Sequence, residues 1–123
     1  MDMMQSNTPH VTDVAIIGAG PVGLFAVFEL GMLKISATVI DTLPAVGGQC
    51  SALYPEKPIY DIPGFPAINA QDLIDNLAKQ AAPFAPHYVL GEQVMQVEKL
   101  PTGDWRLATD KGTVLHAKAI LIA

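Results

Sequence analysis

Apolar and polar positions follow several distinct patterns along the chain. Val14-Ala15-Ile16-Ile17 is a short unbroken apolar run, which predicts a parallel strand buried on both faces. Val22 to Leu30 is apolar and predicts a buried helix, with Pro21 in its first turn, where a missing N–H costs nothing. Ser36 to Ile40 predicts a second strand, ending at Asp41. Leu73, Ile74, Leu77, Ala78 and Ala81 recur at helical spacing and predict a helix from Ala70 to about Ala82 that packs on the sheet. Asn69 can cap this helix, with Asp72 as the partner in a capping box, and Pro83 and Pro86 stop it.

The second half changes period. Tyr88 to Leu90 predicts a short strand. Glu92 to Leu100, Trp105 to Asp110 and Thr113 to His116 then predict three strands, split by the turn signals Pro101-Thr102-Gly103-Asp104 and Lys111-Gly112. Together they make an antiparallel three-stranded meander. Ala119 to Ile122 predicts one more apolar strand, lying inside a sheet. Between Thr42 and Ile68 runs a long irregular stretch with five prolines, a length uncommon in a compact domain unless it carries function. The fold class expected is α/β: a Rossmann-like domain with a parallel sheet, helices on one face and the meander on the other. Residues 1–12 are expected to form a disordered leader and residues 13–123 the domain. Because an apolar strand sits at the chain's end, a larger parent protein is expected.

The strand and helix at the start are joined by Gly18-Ala19-Gly20-Pro21-Val22-Gly23, which has G-x-G-x-x-G spacing. Gly18 permits the tight turn, Gly20 lets a pyrophosphate approach the backbone, and Gly23 lets the helix pack closely on the strand. The helix N-terminus then faces the phosphates. Glycine-rich turns are common, but Asp41 closes the second strand about 20 residues past the glycines, where a dinucleotide fold places the acid that accepts from the adenosine ribose. A carboxylate there favours a free ribose diol and repels a 2′-phosphate, so this site should take FAD or NAD but not NADPH. The long aromatic-containing loop favours a flavin, whose planar ring system needs a large cover.

Composition narrows the partners. The net charge is −5 and Lys plus Arg number seven, so a nucleic-acid partner is not expected. The longest apolar candidate, Pro21 to Leu33, contains Glu29 and Gly31 and falls short of the ~18–20 residues of a membrane span. The first ten residues carry no Lys or Arg and do not read as a secretory signal. Cys50 is the one cysteine, so no internal disulfide is possible, and a cytoplasmic setting is expected. His10, His87 and His116 lack metal-ligand spacing and no metal site is expected. Trp105 is expected to pack rather than to act.

The glycine loop, Asp41, Gly47-Gly48-Gln49 and the terminal Ala119-Ile120-Leu121-Ile122-Ala123 resemble the first part of a flavoprotein with two dinucleotide-binding domains. The thioredoxin-reductase-like type of ferredoxin–NADP reductase is the closest resemblance, most specifically in Gly47 to Lys57 (GGQCSALYPEK), and it covers nearly all of the chain from Asp13. It implies that FAD is the cofactor, with Gly18, Gly20, Pro21 and Gly23 along the pyrophosphate and Asp41 on the adenosine ribose. It also implies that Gly48, Gln49 and Tyr54 lie at the flavin half, with Tyr54 stacked on the isoalloxazine, and that the Val94 backbone meets the adenine. NADPH is implied as co-substrate bound by a missing domain, ferredoxin or a similar one-electron carrier as acceptor, and a homodimeric parent.

No catalytic residue is named, since hydride transfer to a flavin needs no acid or base from the protein. The chain alone is expected to be inactive. Two other readings are a thioredoxin-reductase-like disulfide reductase and a non-catalytic nucleotide-binding redox sensor. The C-x4-C pair of related disulfide reductases is absent, since its second position is Pro55, and Cys50 reads as an inert thiol.

Overall fold

The computed structural model describes residues 8–123. Strand β1 (His10–Ile17) leads into helix α1 (Pro21–Met32) and strand β2 (Ala37–Asp41). Helix α2 (Gly48–Leu53), strands β3 (Pro58–Ile59) and β4 (Ile68–Asn69) and helix α3 (Ala70–Ala81) follow. A 3-10 turn over Ala82–Phe84 precedes β5 (His87–Leu90), β6 (Val94–Lys99), β7 (Trp105–Thr109) and β8 (Val114–Ile122). Six strands form one sheet in the order β5-β2-β1-β8-β7-β6, and β3 pairs with β4 as a separate hairpin. The expected α/β architecture is present.

The central strand is apolar on both faces because both are covered. Ala15, Ile40, Val89, Leu107, Leu115 and Ala117 form the core on the meander side, with Trp105 packed against it. Ile16, Val27, Val39 and Ala81 form the core on the helix side. Alternate residues of β1 and β2 thus feed opposite cores, as the strand period of two requires.

Three boundaries differ from expectation. The runs at Thr113–His116 and Ala119–Ile122 are one strand, not two. β8 pairs antiparallel with β7 through Val114–Ala117 and parallel with β1 through Leu115–Ile122, so it belongs to the meander and to the parallel sheet at once. The same strand moves the start of β1. His10, Val11 and Thr12 find ladder partners in Leu115, His116 and Ala117, so β1 takes in the last three residues of the expected leader. Residues 1–7 of the expected leader lie outside the described residues. Third, the stretch from Thr42 to Ile68 is not wholly irregular, since it holds α2, β3 and the first residue of β4.

Helix α1 also departs from a helix buried all round. Gly23, Leu24 and Val27 are buried, yet Val22 and Met32 are 68% and 63% exposed. Its apolar outer face lies open beside α3. Helix α3 is closer to expectation, with Leu73, Ile74 and Ala81 buried and Asn69 Oδ1 accepting from Asp72 N at 2.8 Å. No described helix is long and apolar enough to cross a membrane.

Two side-chain contacts tie the lower end of the sheet. His10 and His87, far apart in sequence, stack with ring centroids 4.4 Å apart. Partial burial, then the neighbouring His87, hold the His10 pKa below its ordinary value. Asp13 clamps β1 to the approach of β2: its Oδ2 accepts from Ser36 N at 2.9 Å and Ser36 Oγ at 3.0 Å. Lys118 Nζ sits 3.4 Å from Oδ1.

The Ser36 backbone hydrogen bond, then the Ser36 hydroxyl, and then Lys118 hold the Asp13 carboxyl below the usual carboxylate range. A lowered folded-state pKa stabilises the fold above the unfolded pKa of about 4, and that stability is lost as pH falls through the lower folded value. Asp13→Asn should therefore lower Tm at pH 7, and the difference from the parent should shrink as pH falls below about 4. Melting curves across pH 2–7 check this, and a difference that stays constant would show that ionised Asp13 is not the cause.

Candidate functional site

The residues expected to form a site gather at the C-terminal ends of β1 and β2, where open α/β sheets bind ligands. Gly18 makes the turn out of β1 with φ +120°, and its N–H donates to the Ile40 carbonyl at 2.8 Å. A Cβ at Gly23 would run into the Gly18 carbonyl oxygen, so only glycine lets α1 sit this close to the turn. Gly20 differs from both. Its backbone is extended, with φ −78° and ψ −169°, and a Cβ there would meet nothing within 4 Å. The open space above Gly20 is what an approaching pyrophosphate needs.

Helix α1 is prepared for an anion where α3 is not. No side chain caps α1, its first turn holds no acid, and Pro21 removes one N–H that would need a partner. At α3, by contrast, Ala70 N donates to Lys57 O, Gln71 N to Pro55 O and Asp72 N to Asn69 Oδ1. Asp72 adds a negative charge to that first turn. An anion at an uncapped helix N-terminus gains about 0.3–1 kcal/mol from the dipole, up to ~2 when partly buried.

Asp41 stands beside this loop with a second task. Its Oδ2 accepts from Ala19 N at 2.7 Å and its Oδ1 from Leu43 N at 2.9 Å. The carboxylate therefore holds the glycine loop and the turn after β2 together. A carboxylate offers about four acceptor positions, so capacity for a ribose diol remains. Sequence spacing pointed to Asp41 but not to Ala19, whose part is played by a backbone N–H that no side chain advertises.

Val94 reaches the same region through its neighbours. Glu92 N donates to the Asp41 carbonyl at 3.1 Å and Gly91 N to the Leu43 carbonyl at 3.0 Å. The segment is braced from below, where Thr109 Oγ1 donates to Glu92 Oε1 at 2.6 Å and Gln93 N to Asp110 Oδ1 at 3.0 Å. Val94 itself pairs with Thr109 at the start of β6.

The Gly-Gly-Gln turn meets the glycine loop face to face. Gly47 N donates to Ala19 O at 2.7 Å, and a Cβ on Gly48 would lie 3.3 Å from the Gly20 Cα. From there α2 spans about 9 Å at 1.5 Å per residue and delivers the chain to Tyr54. Gln49 and Tyr54 line a concavity of about 440 Å³ with Lys57, Tyr60 and Asp61, and Tyr54 is 57% exposed. The glycine loop, with Asp41 beside it, thus touches the Gly47-Gly48 turn, from which α2 leads to the exposed Tyr54 ring. The Cys50 side chain lies outside what the structure describes. Among the described residues no three potential metal ligands cluster.

Known proteins share both the sequence and the shape. No family model matches the chain. It is 55% identical over 123 residues to a ferredoxin–NADP reductase of Rhodospirillum rubrum, covering 98% of this chain and 36% of that protein. It is 61% identical over 112 residues to a ferredoxin–NADP reductase of Acidiphilium cryptum, covering 91% of this chain and 33% of that protein. Among solved structures, the thioredoxin reductase of Streptococcus pyogenes MGAS5005 superposes with a TM-score of 0.79 at 23% identity, over 94% of this chain and 35% of that one. That last likeness is one of fold. The resemblance to the thioredoxin-reductase-like type of ferredoxin–NADP reductase thus holds in both sequence and fold, over about a third of the length of the relatives it matches.

Proposed function

We propose that the chain forms the FAD-binding part of a flavoprotein that passes electrons between NADPH and ferredoxin. The observation that carries the FAD site is the open face of Gly20 at an uncapped helix N-terminus, with the Asp41 carboxylate alongside. In this reading Gly18, Gly20, Pro21 and Gly23 shape the pyrophosphate seat, and the α1 N-terminus faces its charge. Asp41 accepts from the ribose, the Val94 backbone meets the adenine, and Gly48 and Gln49 carry the ligand onward to Tyr54. Bound FAD supplies hydride and single-electron chemistry; the protein supplies position and electrostatics.

The names of the relatives at 55% and 61% identity support ferredoxin and NADPH as the exchange partners. The alternative, a disulfide reductase, draws on a likeness at 23% identity, and the single cysteine of this chain gives it no redox pair here. A cytoplasmic setting belongs to the same proposal, since one cysteine leaves no internal disulfide for a reducing compartment to break. So does a homodimeric parent. It is supported by the apolar groove of about 600 Å³ between α1, α3 and the 62–65 loop, which includes the exposed Val22, Phe25 and Phe65.

Titration of the ligand-free protein with FAD and, separately, with NAD tests the cofactor. FAD should bind one to one, with its fluorescence quenched by the stacked Tyr54 ring. Binding of NAD in preference to FAD would remove the flavin reading. Bleaching of the bound flavin by NADPH in the parent protein, followed by transfer to ferredoxin, tests the activity, and a flavin that NADPH leaves oxidised would favour the sensor reading.

A further inference from the structure

Lys57 lines the concavity at the aromatic end of the candidate site. Lys57 Nζ lies over the Tyr54 ring, 5.5 Å from its centroid, within the ~6 Å reach of a cation–π contact. Both side chains line the same concavity as Gln49. Among the described residues no carboxylate lies within 4.0 Å of that ammonium, so its charge is not neutralised by an ion pair.

The backbone of this turn is held in place. Lys57 N donates to the Tyr54 carbonyl at 3.1 Å, closing a tight turn over Tyr54–Lys57. Lys57 O accepts from Ala70 N at 3.0 Å, and Pro55 O accepts from Gln71 N at 2.8 Å. The turn is therefore bolted at two points to the start of α3, and Pro58 follows at once in β3, paired with Asn69. Two otherwise unpaired helix donors fix where the lysine side chain begins.

We propose that Lys57 is a positioning and potential-setting residue, holding the Tyr54 ring against the flavin and keeping a positive charge at that end of the site. The inference rests on the proposed FAD site and extends it. Two-electron reduction by hydride adds one negative charge to the flavin ring system. A nearby cation favours that reduced form over the neutral oxidised one, and the solvent that reaches the exposed Lys57 keeps the effect small. Lys57 thus favours electron uptake, and it does so without touching the reacting atoms.

The test compares the FAD-loaded protein with Lys57→Gln, Lys57→Arg and Tyr54→Ala. Midpoint potentials are measured against a reference dye, and flavin fluorescence is measured in the oxidised form. Lys57→Gln should lower the preference for reduced flavin threefold to tenfold, a downward shift of about 15–30 mV at 29.6 mV per tenfold for a two-electron couple. Lys57→Arg keeps the charge and should stay near the parent potential. Tyr54→Ala should raise flavin fluorescence by removing the stacked ring. A dequenched Tyr54→Ala with an unchanged potential in Lys57→Gln would overturn the role of Lys57 and leave the FAD site standing. Equal shifts in Lys57→Gln and Lys57→Arg would also overturn it, since charge would then not be the cause. Failure of the parent protein to take up FAD would overturn both.

Discussion

Gly20→Val should leave the protein folded and abolish FAD binding, whereas Gly23→Val should damage the fold itself. The two glycines are three residues apart in one motif, yet their surroundings are opposite. At Gly20 the backbone is extended and the Cβ direction is open, so valine costs the fold little, within about 0.5 kcal/mol. Its branched side chain would fill the space proposed for the pyrophosphate. Losing two charge-assisted hydrogen bonds, at about 1.5–3 kcal/mol each, weakens binding at least a hundredfold. At Gly23 the added carbon meets the Gly18 carbonyl oxygen, a backbone atom that cannot rotate away. Helix α1 must move off β1, at about 3 kcal/mol, the upper end for overpacking, which lowers Tm by roughly 10 °C or more. Thermal melts of the ligand-free proteins and calorimetric titration with FAD separate the two. Gly20→Val that binds FAD with parent affinity would show that this loop is not the phosphate seat.

Asp41→Ala should lose both stability and FAD affinity, and the two losses are separable. Ala19 is fully buried, and its N–H depends on Asp41 Oδ2. Alanine leaves that donor without its partner, at about 1–3 kcal/mol, before any ligand is added. The proposed ribose contact adds about 1.5–3 kcal/mol to the loss in binding. Asp41→Asn keeps one acceptor oxygen and should sit between alanine and the parent in Tm. An unchanged melting curve for ligand-free Asp41→Ala would contradict the stitching of the loop. A lower Tm with unchanged FAD affinity of the folded protein would take Asp41 out of the ribose site while leaving its structural role.

Local patterns in the sequence carried the elements, and long-range contacts were not legible there. The β1-glycine loop-α1 unit was legible because every part of it is local: an apolar run, three glycines at set spacing and a proline at the helix start. Helix α3 was legible for the same reason, down to its Asn69 cap. Asp41 was singled out by spacing, but neither backbone donor it accepts from was foreseen. Its acceptance from Ala19 N depends on how closely the second strand lies beside the first, and no residue type encodes that.

By itself the sequence determined the α/β order of elements, the two-sided core of the central strand and the position of the glycine loop. Each follows from periodicity and from the backbone freedom of glycine. The tertiary structure decided that β8 is one strand serving two sheet geometries, because one partner, β7, is its neighbour in sequence and the other, β1, is distant in sequence. It also decided that a helix, α2, leads from Gly48 toward Tyr54, and that Lys57 stands over that ring. A stretch with five prolines has no hydrophobic period to read. Its conformation is set by hydrogen bonds to the start of α3 and to Ala19, groups that become neighbours only when the chain has folded.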